Sequence, residues 1–125
     1  MKADSSEMPS AGAEQQRPAI PGKPVRGSRS GRPLMAALDL LGQRWTLRIL
    51  WELRDGPVRF RDLQARCDDM STSVLSTRLK DMHTQRLLAP DQESGWGLTD
   101  HGSSLLRVLA PLNEWSNRWA NELGT

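Results

Sequence analysis

Hydrophobic residues recur at helical spacing along most of the chain after residue 32. Leu34, Leu38 and Leu41 share one face of a short helix, which Pro33 begins and Gly42 ends. The same spacing predicts four further helices, over residues 45–54, 60–67, 71–85 and from residue 99 onward. The helix over residues 45–54 is apolar around most of its circumference, which is typical of the central helix of a small bundle.

Two short extended runs lie between the fourth and fifth predicted helices. Leu87–Asp91 and Trp96–Leu98 flank a QESG segment, and we interpret them as a β-hairpin. A further extended run, Val58–Phe60, predicts a short strand before the third helix. The predicted fold class is therefore mostly α-helical with a small β-hairpin.

The predicted helix over residues 71–85 has two faces of different chemistry. Leu75, Leu79 and Met82 lie on one side, at 100° per residue. The opposite side carries Ser73, Ser76, Thr77 and Lys80. Ser71 is a suitable N-cap, and the free amides behind such a cap favour a phosphate. Short polar side chains let a helix approach base edges, so the pattern favours a helix that lies in a DNA groove; the alternative is a helix whose polar face meets only water.

Four segments occur together in the order of a known family. LDLLGQRWTLRILWEL, at residues 38–53, is followed by DGPVRFRDLQARC, MSTSVLSTRLKDM and LTDHGSSLLRVLAPLNEW. Over Pro33–Trp119 the chain resembles the HxlR-type winged helix-turn-helix transcriptional regulators of bacteria, a branch of the MarR-like group. The resemblance implies a DNA-binding domain with dimerisation helices at its N- and C-terminal ends.

We expect the DNA contacts to come from the start and the polar face of the fourth helix. The predicted contacts on that helix are Ser71, Thr72, Ser73, Ser76, Thr77 and Lys80. Arg59 and Arg61, at the start of the third helix, are expected to contact the DNA backbone. Arg78 matches the arginine of the family's RL pair. Its angle places it beside the apolar face, so we expect it to brace the fold or to reach a flanking phosphate.

Three features depart from the family pattern. The predicted hairpin is short, carries Asp91 and Glu93, and contains Pro90, which argues against a role in the minor groove. Arg86 stands where relatives commonly have the glycine that ends the recognition helix, so another cap geometry is expected there. Arg32-Pro33 replaces the cysteine that many relatives carry before the first helix, which excludes redox sensing by that route.

The fifth helix carries a wide apolar stripe that keeps its phase across Pro111, which favours one kinked helix over two. The stripe exceeds what so small a domain needs for its own core. Together with the first helix it predicts a two-fold dimer interface, as the resemblance also implies. The residues assigned to this interface are Leu34, Leu38, Leu109, Leu112, Trp115 and Trp119. The alternative is that both tryptophans cover the core of a single subunit.

Charge and composition change abruptly near residue 32. Residues 1–32 are rich in Pro, Gly and Ser, and hold six basic against three acidic residues, whereas the rest of the chain has a net charge of −1. We interpret residues 1–32 as a disordered basic tail and residues 33–125 as the DNA-binding and dimerisation domain. The tail is either an inert leader or an arm that follows phosphates. A near-neutral domain must bind DNA through local groups, not overall charge.

No motif in the sequence indicates catalysis, a cofactor or a metal site. The chain has no GxSxG elbow and no phosphate-binding glycine loop, and its two histidines lack partners at ligand spacing. Cys67 lies beside Asp68 and Asp69, which disfavour the thiolate, so we assign it a structural role. The absence of a signal sequence or a long apolar run predicts a cytoplasmic protein that associates with the nucleoid and not with a membrane.

The sequence therefore predicts a homodimeric regulator that binds double-stranded DNA sequence-specifically at a palindromic operator, most simply as a repressor. Two alternatives stay open. The first is a winged-helix protein-interaction module that has lost DNA binding, favoured by the short wing and the −1 charge. The second is a sensor for a small-molecule effector, in which Trp45, Trp51, Trp115 and Trp119 line an apolar pocket.

Overall fold

Five helices and one antiparallel hairpin form the regular structure of residues 18–124, the part of the chain that this computed structural model describes. In chain order they are α1 (Pro33–Leu41), α2 (Thr46–Glu52), α3 (Phe60–Arg66), α4 (Thr72–Thr84), β1 (Leu88–Asp91), β2 (Gly95–Leu98) and α5 (Asp100–Glu122). The predicted fold class, mostly helical with a small hairpin, is confirmed.

The ends of the elements follow their capping residues. Pro33 occupies the first turn of α1 and Gly42 ends it. The hydroxyl of Thr99 accepts a hydrogen bond from the Gly102 amide and caps α5. Two predicted boundaries change. Trp45 precedes α2 as its N-cap residue, and the predicted strand Val58–Phe60 is reduced to a single bridge between Val58 and Trp96.

The hydrophobic core lies where α2, α3, α4 and β1 meet. Its fully buried aliphatic and methionine side chains are Ile49, Leu50, Leu53, Leu63, Leu75, Leu79, Met82 and Leu88. Three of the eight belong to α4, which presents its leucines inward and thereby turns its other face to solvent. The core therefore fixes which side of α4 is available for a ligand.

Helix α4 ends in a Schellman motif, in which Arg86 takes the left-handed conformation with a φ of 63°. The amide of Leu87 donates to the carbonyl of Met82, and the amide of Arg86 donates to that of His83, both at 2.9 Å. The expectation that another geometry replaces the left-handed cap is wrong. The arginine adopts it because Thr99 donates a hydrogen bond to its carbonyl at 2.7 Å and the following Leu87 is buried.

Residues 18–32, which we name the strap, lie against the helical domain. Ala19 is buried and its carbonyl accepts a hydrogen bond from the Gln85 side chain, while Arg26 forms an ion pair with Asp39 of α1. The strap closes on itself through a hydrogen bond from Gly22 to Gly31. The structure here differs from the expected disordered tail, because these contacts tie the segment to both α1 and the end of α4. Residues 1–17 of that predicted tail lie outside the described residues.

The hairpin is short and its tip is acidic. Leu88 pairs with Leu98 and Asp91 with Gly95, so only three residues connect the strands. The Asp91 carboxylate accepts hydrogen bonds from the amides of Glu93 and Ser94 and so closes the turn. The hairpin contacts α4, where the rings of Trp96 and His83 meet edge to face. The hairpin thus supports the end of α4 and presents negative charge at its tip.

Helix α5 runs without interruption from Asp100 to Glu122, through Pro111. Its first turns pack on the domain, with Gly102 buried and Leu105 and Leu106 half-buried, whereas nearly every residue after Leu109 is exposed. Among residues 18–124, no helix is both long enough and apolar enough to span a bilayer.

Candidate nucleic-acid interface

Helices α3 and α4 are joined by a tight turn that sets the start of α4. Asp68 and Asp69 both take the left-handed conformation, which aspartate tolerates better than most residues. The Gln64 side chain of α3 donates to the Met70 carbonyl at 2.8 Å and to the Thr72 hydroxyl at 3.2 Å. The turn and this side chain together hold the two helices as a helix-turn-helix unit.

The start of α4 is capped and open to solvent. The Ser71 hydroxyl accepts a hydrogen bond from the Val74 amide at 3.1 Å, which is the N-cap predicted from the sequence. Ser71, Thr72 and Ser73 are all exposed. The amides of the first turn therefore lie at the surface with the positive end of the helix dipole, where a phosphate is favoured.

The polar face of α4 contains the residues that the helical angles placed there. Ser73, Ser76, Thr77 and Lys80 are exposed, while Leu75, Leu79 and Met82 on the opposite face are buried. The exposed side chains are short apart from Lys80, so a nucleic acid can approach the backbone of the helix closely. The separation of faces that was read from the sequence is present in the structure.

The other predicted contacts are not all equally available. Thr72 already accepts the hydrogen bond from Gln64, so its hydroxyl is partly committed to the fold. Arg59 and Arg61 are exposed, and no carboxylate among residues 18–124 forms an ion pair with either. Arg59 is the N-cap residue of α3, and its backbone lies against Gly95, at the turn end of the hairpin. Arg59 thus lies beside the hairpin, and Arg61 follows it in the first turn of α3.

Arg78 braces the fold, as its angle on the helix predicted. It is only 6% exposed, and its guanidinium forms an ion pair with Asp81 one turn later. Burial raises the pKa of the Asp81 carboxyl, and the charge of Arg78 opposes that rise. The pair stabilises the side of α4 that borders its polar face, without pointing a charge into that face. We name this polar face, formed by Ser73, Ser76, Thr77 and Lys80, the reading face.

A cleft lies beside the start of α4, and several of its lining residues are not indicated by the sequence pattern. The cleft has a volume of about 670 Å³ and is bounded by α4, by the turn between α1 and α2, and by the strap. Arg26, Arg44 and Val74 line it together with Ser73 and Thr77. Val74 is 41% exposed and places an apolar group among the hydroxyls. The sequence pattern could have indicated Val74, because a valine interrupts an otherwise polar helix face. It could not have indicated that Arg26 and Arg44 lie at the same cleft, because they come from distant segments.

A second, apolar pocket of about 460 Å³ lies at the other end of α4. The strap, α1, the end of α4 and the start of α5 form its walls, through residues such as Ile20, Leu40, Leu87 and Leu105. Gln85 also lines it, and the Gln85 carbonyl oxygen (Oε1) is buried with no hydrogen-bond partner among the described residues. A buried acceptor without a partner is unusual, because such a group loses its hydration without replacement.

The four tryptophans that the sensor alternative places in one aromatic pocket are dispersed. Trp45 lines the cleft, and Trp51 lies under the guanidinium of Arg54 at 4.1 Å. Trp115 and Trp119 stack on each other with ring centroids 5.2 Å apart, on the exposed part of α5. The structure therefore differs from the aromatic-pocket expectation, because α2 and the far half of α5 present their tryptophans to different surroundings.

Most residues assigned to a dimer interface are exposed. Leu34 and Leu38 lie on α1, and Leu112, Trp115 and Trp119 follow on α5; each is about half exposed or more. Leu109 is intermediate. The tryptophans do not cover the core of the subunit, which answers one alternative left open by the sequence.

Cys67 is buried at the end of α3, and burial raises the pKa of its thiol, with Arg48 opposing and Glu52 and Asp68 adding to the rise. A raised pKa agrees with the sequence-based prediction of an unreactive thiol. Desolvation is the largest cause of the rise, and the neighbouring carboxylates contribute less. Within residues 18–124, no group of His, Cys, Asp and Glu side chains is arranged to hold a metal ion.

A family model described as HxlR-like helix-turn-helix matches residues 40–123 of this chain. The chain belongs to the HxlR-like helix-turn-helix family. The HTH-type transcriptional regulator YvaP of Bacillus subtilis, itself uncharacterized, is 30% identical over 89 residues, which cover 66% of this chain and 82% of YvaP. YodB of the same organism, an HTH-type transcriptional regulator, is 29% identical over 90 residues, covering 67% of this chain and 80% of YodB.

Solved structures agree with this membership. The quinone-bound form of YodB has a TM-score of 0.64 to this protein at 28% identity, covering 69% of this chain and 96% of that one. A protein of Enterococcus faecalis assigned to the MarR family has a TM-score of 0.65 at 24% identity, covering 74% of this chain and 89% of that one, and shares the fold. The predicted resemblance and the winged helix-turn-helix fold are confirmed. This HxlR-like protein is a DNA-binding transcriptional regulator and not an enzyme.

Proposed function

We propose that this protein is a homodimeric repressor that binds a palindromic operator sequence-specifically through α4. The observation that carries the proposal is the division of α4, whose leucines are buried in the core while its hydroxyls and Lys80 are exposed. A helix held on one side by the core presents its other side as a rigid surface. Such a surface suits insertion into a major groove.

In this proposal the base edges are read by Ser73, Ser76, Thr77 and Lys80, with Ser71 and Thr72 at the first turn. Hydroxyl groups serve several bases, so they confer tolerance, whereas Lys80 contacts a guanine edge or a phosphate. Arg59 and Arg61 contact the DNA backbone and set the register of the domain. The exposure of both arginines, and their position at the start of α3, support this assignment.

A dimer follows from the exposed apolar residues of α1 and α5. The second half of α5 leaves the domain with Leu112, Trp115 and Trp119 about half exposed, and Leu34 of α1 is 70% exposed. An apolar surface of this kind is costly in water and typical of an interface. Pairing of two copies about a two-fold axis buries it and places the two α4 helices on one face of the duplex, about ten base pairs apart.

Repression follows most simply from occupancy, because a dimer spanning two successive major grooves excludes polymerase from an overlapping promoter. In this proposal the protein lies in the cytoplasm, bound to nucleoid DNA.

The apolar pocket supports a small-molecule effector as a further partner. Its walls are mostly apolar and Gln85 is one of the polar residues among them, so it suits a compact apolar molecule with one hydrogen-bonding group. Phenol is a suitable probe. We expect it to perturb amide resonances of the pocket residues in an NMR titration, and we expect Gln85→Leu to weaken that binding. Perturbations that survive Gln85→Leu unchanged would count against a ligand contact with Gln85.

Selection from a randomised duplex pool at physiological salt tests the main proposal, with the mass of the protein determined by light scattering. We expect enrichment of a two-fold palindrome by a dimer. Ser76→Asp places a negative charge on the reading face without touching the core, and it is expected to abolish enrichment while leaving mass and melting temperature unchanged. A folded wild-type dimer that enriches no sequence contradicts the proposal and favours the protein-interaction module.

In vitro transcription from a promoter that contains the selected operator tests the direction of regulation. We expect the protein to lower transcript yield in proportion to operator occupancy. An increase would identify an activator that uses the same DNA contacts.

A further inference from the structure

The cleft beside the start of α4 gathers positive charge without any carboxylate in its lining. Arg26 comes from the strap, Arg44 from the turn between α1 and α2, and Arg78 from α4. The cleft shares Ser73 and Thr77 with the proposed reading face. A ligand held in the cleft therefore lies directly beside whatever α4 contacts.

The three guanidinium groups differ in how they are neutralised. Arg26 forms an ion pair with Asp39, and Arg78 forms one with Asp81. Arg44 is exposed, and no carboxylate among residues 18–124 forms an ion pair with it. Within the described part of the chain, the charge of Arg44 is thus the one charge of the cleft that no carboxylate compensates.

The backbone around Arg44 is held in an unusual conformation. Trp45, the next residue, has a φ of 75°, which is a strained value for a bulky side chain. The neighbours Gln43 and Thr46 are buried, so the fold holds the turn in this conformation. The Arg44 guanidinium lies over the Trp45 ring at 5.7 Å, which restricts its orientation. Strain of this kind persists where the surrounding structure over-determines it, and it often marks a functional site.

We propose that the cleft binds a phosphate of the DNA strand that borders the groove entered by α4, with Arg44 as its charged contact and Arg26 as a second donor beside it. This inference rests on the proposed function, because it assumes that α4 lies in the major groove. A phosphodiester carries one negative charge and matches one unpaired guanidinium. The strap acts in this site through the Arg26–Asp39 pair, which anchors it to α1 and holds Arg26 at the cleft.

The test is the salt dependence of binding to the duplex enriched from the random pool, measured for the full chain and for Arg44→Gln. We expect the slope of log K against log salt to be shallower in Arg44→Gln by about 0.9 per protomer, because each protomer loses one phosphate contact. The loss of affinity is expected to be equal for the selected duplex and for a duplex with altered bases, because a phosphate contact carries no base information. Arg44→Lys keeps the charge and is expected to keep most of the slope.

Arg54→Gln is the matched control, because Arg54 also lies over a tryptophan, Trp51, but does not line the cleft. We expect its slope to equal that of the wild type. If Arg44→Gln melts like the wild type and its slope also equals that of Arg54→Gln, the cleft proposal is overturned while the proposed function stands. Wild-type protein that binds no duplex in a salt-dependent way overturns both.

A free anion is the other source of the same chemistry, and inorganic phosphate is its probe. At constant ionic strength, we expect millimolar phosphate to leave DNA binding unchanged, since the cleft supplies only one uncompensated charge. Displacement of DNA by phosphate in the wild type, lost in Arg44→Gln, would make the cleft a site for a small anionic effector and overturn the assignment to DNA.

Discussion

Individual side chains of α4 take their roles from their angle about the helix. Lys80 stands on the polar face with Ser76 and Thr77, whereas Arg78, two positions earlier than Lys80, is buried against Asp81. Two cations so close in sequence therefore have different environments. One is free to meet DNA, and the other stabilises the fold.

Replacing Lys80 by alanine tests the role of the exposed cation. If Lys80 contacts a phosphate, we expect Lys80→Ala to bind DNA more weakly. We also expect its slope of log K against log salt to be shallower by about one unit per protomer. Filter binding or fluorescence anisotropy over a range of salt concentrations gives the slope. Lys80→Arg retains the charge and is expected to retain the slope. An unchanged slope in Lys80→Ala, with relaxed base preference, would show that Lys80 contacts a base instead.

The Cys67 thiol is expected to be unreactive in the folded protein. Burial raises its pKa, so the neutral thiol is favoured by folding. The stability gained this way is fully present below the pKa of the unfolded thiol and is lost as pH rises through the folded value. Alkylation by iodoacetamide at pH 8 should be slower in the native protein than in urea, because folding lowers the thiolate fraction and hides the sulfur. Equal rates would show that the site opens readily.

At the scale of elements, the structure depends on how helices begin and end. Ser71 and Thr99 cap α4 and α5 with side-chain hydroxyls, and Arg86 ends α4 in a left-handed conformation. The first two are favourable choices for their positions. Arg86 is an unfavourable choice for its position, because a left-handed residue other than glycine costs about 1–2 kcal/mol.

Arg86→Gly is expected to stabilise the protein. Glycine relieves the left-handed strain but loses more backbone entropy on folding, so the net gain in the free energy of unfolding is about 0.5–1 kcal/mol. Urea denaturation measures it. Arg86→Ala removes the same side chain but keeps the strained backbone, and it should show no such gain. A gain of the same size in both variants would assign the effect to the side chain and not to the backbone.

At the scale of the whole molecule, α5 extends beyond the domain that it completes. Its first turns contact α2 and β2, whereas Trp115 and Trp119 stack on each other at 49% and 53% exposure. A helix half without a partner is marginal in water, because most helical stability comes from packing of an apolar face. The second copy proposed above supplies that packing.

Replacing Trp115 and Trp119 together by serine tests the proposed dimer. We expect the dissociation constant of the dimer to rise by about thirtyfold or more, since buried tryptophans in an interface are commonly worth at least 2 kcal/mol. Analytical ultracentrifugation measures it. Trp51→Ser, at an exposed tryptophan of α2, is the control and should leave the mass unchanged. A monomeric wild type, or a double variant that remains as tightly dimeric as the wild type, would contradict this interface.

Local sequence pattern was enough to predict the helices, the N-cap of α4 and the two faces of α4. These features depend on local spacing: a leucine every three or four residues, a hydroxyl before the first turn, and a proline or glycine at an end. The family followed from the same blocks of residues. For this reason the reading-face residues Ser73, Ser76, Thr77 and Lys80 were predicted before the fold was known.

Features that join residues far apart in the chain became visible only in the folded protein. The strap reaches Asp39 and Gln85 from residues that have no periodicity of their own. The cleft joins Arg26, Arg44 and Val74 from three segments. Arg86 keeps a left-handed cap because Thr99 holds its carbonyl and Leu87 is buried behind it. Such contacts depend on packing between elements, and a one-dimensional pattern does not carry that information.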